Sequence, residues 1–234
     1  MTEIASSCAH PTSSAAVDHL AEVLIDGNRI KEVPQTRRTP QLCLAAVQQD
    51  GSAIRHLGPL QRSLAVCLAA VESNGRAIQF LEPEQRVQQV CLAAVRQAAE
   101  AIYFLEHWQR TPQVCLAAVQ RSGWAVEYLS DVHRTPEVCL AAVRQHGSTI
   151  RCLKPQQRTP EVCLAALLQR GAAYEYLTLD ELSQPLVAAW FEEHWASCVG
   201  PAGEIYAEQI AHAIWLRQSG HGGDRHGGSL RLQH

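Results

Sequence analysis

The sequence predicts an all-α fold, specifically an α-solenoid of 24-residue two-helix repeats with helical caps. Three observations lead to this prediction. An apolar five-residue segment returns at a fixed spacing, helix start and stop residues flank its copies, and the helices so defined are too short to be stable alone. The segment, CLAAV or in the last copy CLAAL, begins at Cys43, Cys67, Cys91, Cys115, Cys139 and Cys163.

The first helix of each repeat is illustrated by RTPEVCLAAVRQHG, residues 134–147. Thr135 can cap the helix, and Pro136 suits the first helical position, where no N–H donor is needed. Glu137 complements the positive end of the helix. Gly147 is expected to stop the helix by adopting the left-handed conformation. These signals predict a helix of about ten residues.

The second helix of each repeat is predicted from apolar residues ten, eleven and fourteen positions after the Cys. This spacing indicates a helix of about seven to nine residues with a narrow apolar stripe. The first helix is apolar nearly all round, so the repeats must stack in order to bury it. The invariant position, fourteen residues after the Cys, holds Leu57, Leu81, Leu105, Leu129, Leu153 and Leu177.

The regular repeats occupy residues 38–182. Residues 15–37 are predicted to form a degenerate repeat and N-terminal cap, and residues 183–218 to form C-terminal capping helices. Terminal repeats are expected to be atypical because one of their faces meets water. Residues 1–14, rich in Ser, Ala and Thr, and the Gly/His-rich residues 219–234 are expected to be flexible.

The cysteine row is predicted to serve packing. Stacked helices lie about 8–10 Å apart, whereas the two α-carbons of a disulfide lie about 4.4–6.8 Å apart. One Cys per layer also cannot supply the converging ligands of a zinc ion. These residues are therefore expected to act as small buried apolar groups. Cys8, Cys152 and Cys198 lie outside the row and are better candidates for accessible thiols.

A second row, of arginines, leaves two interpretations open. Regularly spaced Arg could follow the phosphates of a nucleic acid, but residues 38–182 hold 14 basic and 13 acidic residues, a net charge of +1. The structural interpretation is that each Arg binds free carbonyls at the end of a helix. The arginines are Arg38, Arg62, Arg86, Arg110, Arg134 and Arg158.

The Thr-Pro pairs also allow two interpretations, phosphorylation or helix capping, and capping is the simpler explanation.

Positions that vary between repeats are the candidates for a binding surface. Those nine and twelve residues after the Cys combine aromatic and charged side chains, a composition favoured at protein–protein hot spots. The candidate partner-binding residues are Arg55, Arg76, Glu100, Tyr103, Trp124, Glu127 and Arg151. The row thirteen residues after the Cys is expected to pack between repeats, and it holds His56, Phe80, Phe104, Tyr128, Cys152 and Tyr176.

Two units, RTPQVCLAAVQRSGWAVEYLSDVH and RTPEVCLAAVRQHGSTIRCLKPQQ, resemble the short repeats of the family catalogued as domain of unknown function 4116, common in bacterial proteins. The resemblance covers residues 38–182, although the units at Ser63 and Val87 lack the Thr-Pro start. It implies a helical repeat array and supplies no catalytic residue.

No phosphate-binding Gly loop, paired zinc motif or catalytic Ser context occurs in the sequence. We therefore expect a non-enzymatic scaffold for a protein or peptide partner, without cofactor or metal. One alternative is a nucleic-acid-binding solenoid that uses the Arg row. Another is a cryptic enzyme with a C-terminal Cys/His site drawn from His194, Cys198 and His212.

Apolar runs are short, and the N-terminus lacks the pattern of a secretory signal. This predicts a cytoplasmic protein without a membrane partner, while residues 1–14 leave export as a bacterial effector open.

Overall fold

The structure, a computed structural model, describes residues 19–198. All regular secondary structure within this range is helical, which confirms the all-α prediction. From α2 to α7, each ten-residue helix begins 24 residues after the one before it. The α-helices are α1 His19–Ile25, α2 Pro40–Gln49, α3 Leu64–Ser73, α4 Gln88–Gln97, α5 Pro112–Arg121, α6 Pro136–Gln145, α7 Pro160–Gln169, α8 Leu179–Leu182 and α9 Pro185–Cys198.

Two 3-10 helices follow each of α2 to α6. The long set comprises Gly27–Glu32, Gly51–His56, Gly75–Phe80, Ala99–Phe104, Gly123–Tyr128, Gly147–Cys152 and Gly171–Tyr176. The short set comprises Gln35–Arg37, Pro59–Gln61, Pro83–Gln85, His107–Gln109, Asp131–His133 and Pro155–Gln157. We number the units from the Arg before each α-helix, so that unit 1 is residues 38–61 and unit 6 is residues 158–181.

The second helix of each repeat is a 3-10 helix of six residues, shorter than the predicted seven to nine. In unit 1, Asp50 and Leu57 are both extended and leave only the six residues Gly51–His56 between them. Bonds from residue i to i+3 close a turn with fewer residues than α-helical bonds do, so a short segment favours the 3-10 form. The Leu57 amide donates to the Ile54 carbonyl at 3.0 Å in this way.

The starts of the α-helices agree with the predicted caps. Thr135 Oγ1 accepts the amide of Val138 at 3.4 Å, and Ser63 Oγ takes the same role in unit 2, where the Thr-Pro pair is missing. Val87, the residue before α4, forms no side-chain capping bond. The Thr residues of the Thr-Pro pairs, which include Thr39, Thr111 and Thr159, form the same bond.

The predicted left-handed Gly stop is also wrong. Asp50 ends α2 in an extended conformation, and Gly51 then begins the long 3-10 helix. Gly51 allows the next unit to approach closely: a Cβ added to it would lie 2.2 Å from the Ala70 carbonyl oxygen. The equivalent contact at Gly75 and at Gly147 is 2.5 Å. Unit 3 has Ala99 at the equivalent position, so a Cβ is accommodated there.

Packing proceeds from each unit to the next. Each α-helix from α1 to α6 contacts its successor, and the long 3-10 helices contact one another in the same order. One apolar core lies between the two sets. Unit 3 contributes Val90, Cys91, Ala94, Val95 and Ile102 to it, all at most 1% exposed, and the other units repeat the pattern.

The ends of the described range continue this pattern only in part. Ile30 and Val33 are buried where a preceding repeat would place its core residues, and Val187 and Ala188 of α9 join the core. The expected flexible segments, residues 1–14 and 219–234, lie outside the described residues, as do residues 199–218 of the predicted cap.

Candidate functional site

The arginine row connects consecutive units through backbone carbonyls. Arg86 Nε donates to the Leu81 carbonyl at 2.9 Å, and its Nη1 donates to the Phe104 carbonyl at 2.6 Å. Leu81 belongs to unit 2 and Phe104 to unit 3, so one guanidinium bridges both. Arg134 forms only the Nη1 bond, to the Cys152 carbonyl. Both bonds recur at Arg38, Arg62, Arg110 and Arg158.

This geometry favours the structural interpretation of the row. The expected bonds to carbonyls at helix ends are present, and the structure adds the bridge between units. A guanidinium whose Nε and Nη1 are bound to carbonyls has fewer donors left for phosphates. The row therefore gives little support to the nucleic-acid alternative.

The cysteine row is buried, as the packing prediction requires. The six thiols are at most 1% exposed, and each donates to the carbonyl of the Arg five residues earlier. Cys91 Sγ lies 3.2 Å from the Arg86 oxygen. Burial raises the pKa of Cys91 and of Cys115 to about 11, and that of Cys163 to about 12. These groups are thiols at neutral pH and so are weak nucleophiles and poor metal ligands.

Raised thiol pKa values should make the fold sensitive to alkali. Since the folded pKa lies above the unfolded value of about 8.5, the stabilisation is fully present below that pH and is lost as pH rises toward 11. We expect the ionisation of Cys91 alone to lower the free energy of unfolding by on the order of 2 kcal/mol between about pH 8 and about pH 10.5. Urea denaturation of wild type and Cys91→Ala at both pH values measures how much of the pH-dependent loss of stability is due to Cys91. Equal pH dependence in the two proteins would contradict it.

Cys152, predicted to be an accessible thiol, is only half-buried but is not activated. Its Sγ donates to Glu127 Oε1 at 3.2 Å. Burial, followed by the hydrogen bond and the negative charge of Glu127, raises the pKa of the Cys152 thiol. The Glu127 carboxylate, one of the candidate partner-binding groups, is thus engaged within the chain.

The other charged candidates also form contacts across units. Arg76 Nη2 and Glu100 Oε1 form an exposed ion pair at 3.0 Å. Arg55 Nη2 donates to Asn28 Oδ1 at 3.3 Å, and its Nε lies 3.1 Å from His56 Nε2. The structure thus places these candidates on the long 3-10 helices, where Arg55, Arg76 and Glu100 each contact a side chain of a neighbouring unit.

Aromatic side chains form the centre of the face formed by the long 3-10 helices. The rings of Tyr103 and Tyr128 meet edge to face at 5.9 Å, although they belong to units 3 and 4. Arg151 of unit 5 lies over the Trp124 ring, with the guanidinium carbon 4.8 Å from the ring centre. Tyr103 is 64% exposed and Tyr128 43% exposed. We call Tyr103, Trp124, Tyr128 and Arg151 the aromatic cluster.

The row thirteen residues after the Cys packs mainly as expected. Phe80, Phe104, Cys152 and Tyr176 are partly buried against the core. Tyr128 departs from the row because its ring is exposed beside Tyr103.

A further set of exposed apolar residues lies seventeen positions after the Cys, at the middle of the short 3-10 helices. Leu60 is fully exposed, Trp108 is 65% exposed and Val132 is 70% exposed. Sequence reasoning missed these residues because it examined the offsets around the two predicted helices. The sequence did contain a signal: the position seventeen residues after the Cys is apolar in three units but holds Glu84 or Gln156 in two others.

Only one residue of the alternative Cys/His catalytic site, His194, has a described side chain. His194 Nδ1 lies 3.0 Å from the Trp190 carbonyl oxygen within α9. His212 and the Cys198 side chain lie outside what the structure describes. Among the described residues, no group of three or more His, Cys, Asp or Glu could hold a metal ion, and no helix is long and apolar enough to cross a membrane.

Comparison of the chain with family models, with curated proteins and with solved structures found no match. The roles of its residues therefore rest on their chemistry and geometry.

Proposed function

We propose that the chain is a non-enzymatic α-solenoid scaffold that binds a protein or peptide on the face formed by its long 3-10 helices. The solenoid part of the proposal is supported by the fixed 24-residue recurrence of the helices and by their contacts from each unit to the next. Membership of the repeat family that the units resemble stays a prediction.

The aromatic cluster carries the binding part of the proposal. Tyr, Trp and Arg are the residues most enriched at hot spots. Here two pairs of them meet across adjacent units: Tyr103 with Tyr128, and Trp124 with Arg151. The ring contacts and the cation–π contact restrict these side chains before any partner arrives, so less conformational entropy is lost on binding. Neither the core nor the bridges between units requires the exposed edges of Tyr103 and Tyr128.

Replacing both tyrosines should separate binding from folding. We expect Tyr103→Ser/Tyr128→Ser to weaken partner capture at least about 30-fold, the loss of one hot spot of about 2 kcal/mol. The melting temperature should change little because both side chains are exposed. The measurement is affinity capture from nuclease-treated lysate, with thermal unfolding in parallel.

Gln79→Ser and Glu175→Ser are the matched controls, because both residues are exposed and lie twelve positions after the Cys in units 2 and 6. They should retain capture. Full capture by the tyrosine variant, or equal loss in the controls, would place the interface elsewhere. Capture of nucleic acid alone from untreated lysate, lost as salt rises, would favour the nucleic-acid alternative.

A further inference from the structure

The short 3-10 helices form a second surface, separate from the aromatic cluster. Their side-by-side order is shown by contacts between adjacent units: Gln109 Nε2 donates to the Pro83 carbonyl at 3.1 Å, and the rings of His107 and His133 are 4.5 Å apart. Lys154 of unit 5 likewise pairs with Asp131 of unit 4. We call the five helices from Pro59–Gln61 to Pro155–Gln157 the short-helix edge.

Exposed apolar groups lie along this edge. Leu60, Trp108 and Val132 each occupy the central position of a short helix and take no part in the buried core. Polar residues fill the same position elsewhere, as Glu84 and Gln156 do, so the helix itself does not require an apolar side chain there. Three apolar residues at one exposed position of a repeat indicate a contact surface.

Carboxylates accompany the apolar residues. Glu82, Glu84 and Glu106 are exposed, and none of them forms an ion pair with a residue of the 19–198 range. The neighbouring Arg86 and Arg110 hold backbone carbonyls through Nε and Nη1. The edge across units 2 and 3 therefore presents three exposed carboxylates beside its apolar groups, while the neighbouring guanidinium groups are held against backbone carbonyls.

We propose that the short-helix edge binds a basic segment of a partner protein that carries apolar residues among its Lys and Arg. The apolar side chains contact Leu60, Trp108 and Val132, and the cations pair with Glu82, Glu84 and Glu106. Charge complementarity selects this partner, because the same carboxylates repel nucleic acid and anionic lipid.

The repeat spacing sets the size of the segment. Units stack about 8–10 Å apart, so three steps from Leu60 to Val132 span about 24–30 Å. An extended chain covers that distance in about seven to nine residues. A segment shorter than this reaches only part of the edge.

The test pans a library of random 16-residue peptides, displayed on phage, against the full chain. We expect the enriched peptides to combine Lys or Arg with aliphatic or aromatic residues. The most enriched peptide, synthesised with a fluorophore, is then titrated by anisotropy. Trp108→Ser/Val132→Ser and, independently, Glu84→Lys/Glu106→Lys should each weaken its binding at least about tenfold, and added salt should weaken it further.

Two control variants distinguish binding at the short-helix edge from binding at the aromatic cluster. Tyr103→Ser/Tyr128→Ser should bind the peptide as wild type does, and so should Gln156→Ser at the equivalent position of unit 5. Enrichment of acidic or uncharged peptides, absence of enrichment, or binding that survives both edge variants would overturn the proposal. Sedimentation with phosphatidylserine vesicles that depends on Trp108 would assign the edge to a membrane and overturn it as well.

Discussion

Replacing Gly51 by alanine should lower the free energy of unfolding by about 3 kcal/mol, the upper part of the usual range for overpacking. The added methyl would lie 2.2 Å from the Ala70 carbonyl oxygen and 2.9 Å from the Asn74 amide nitrogen. Both are backbone atoms of the next unit, which no side-chain rotation can move aside. The contact is relieved only if the backbones of units 1 and 2 shift apart locally; unit 3, which has Ala99 at the equivalent position, still packs against unit 4. Chemical denaturation measures the loss.

Gly58→Ala is the matched control for this substitution. Its added methyl would have the end of the Gln61 side chain, at 3.9 Å, as its nearest neighbour. We expect its free energy of unfolding to change by less than about 0.5 kcal/mol. Equal effects of the two substitutions would show that the units are not packed as closely as described.

Arg86→Ala should lower the free energy of unfolding by about 2–4 kcal/mol, because it removes two charged hydrogen bonds and leaves two partly buried carbonyls without a donor. The Leu81 and Phe104 carbonyls belong to consecutive units, so their connection weakens as well. Arg86→Lys should recover only part of the loss, since one ammonium does not reproduce the planar guanidinium that bridges both oxygens.

Arg96→Ala provides the comparison, because Arg96 is exposed on α4 in the same unit and has the same charge. We expect it to change stability by less than about 0.5 kcal/mol. If Arg86→Ala were no more destabilising than Arg96→Ala and instead abolished nucleic-acid retardation at low salt, the row would be a binding site.

The α-helices were predictable because their signals are local. Thr135 and Pro136 fix the start of α6, so the apolar run behind them continues as a helix. The 3-10 helices were not predictable, since apolar residues ten, eleven and fourteen positions after the Cys suit either helix type. The difference depends on extended residues such as Asp50 and Leu57. Contact with the next unit fixes the segment further, since the Gly51 amide donates to Ser73 Oγ there.

The role of the repeated Gly was mistaken for a related reason. A left-handed helix stop and a close approach of two backbones both favour Gly, so residue type alone does not separate them. The extended conformation of Asp50 shows that the helix already ends before Gly51.

The candidate surface was predictable as a set of positions but not as contacts. Variation between repeats identified Tyr103, Trp124 and Arg151. It did not show that Tyr103 meets Tyr128, 25 residues away, or that Trp124 meets Arg151, 27 residues away. Which residues meet across units depends on the register of stacking, and so does the exposure of Leu60 and Trp108 at the short-helix edge.

The central claim is that repeated positions hold the units together while variable exposed positions bind a partner. Its most direct test measures thermal unfolding and partner capture side by side for Arg86→Ala and Tyr103→Ser/Tyr128→Ser. We expect Arg86→Ala to lower the melting temperature by about 5–10 °C and to keep capture where it stays folded. The tyrosine variant should lose capture at an unchanged melting temperature. Full capture by the tyrosine variant, with capture lost by folded Arg86→Ala, would contradict the claim.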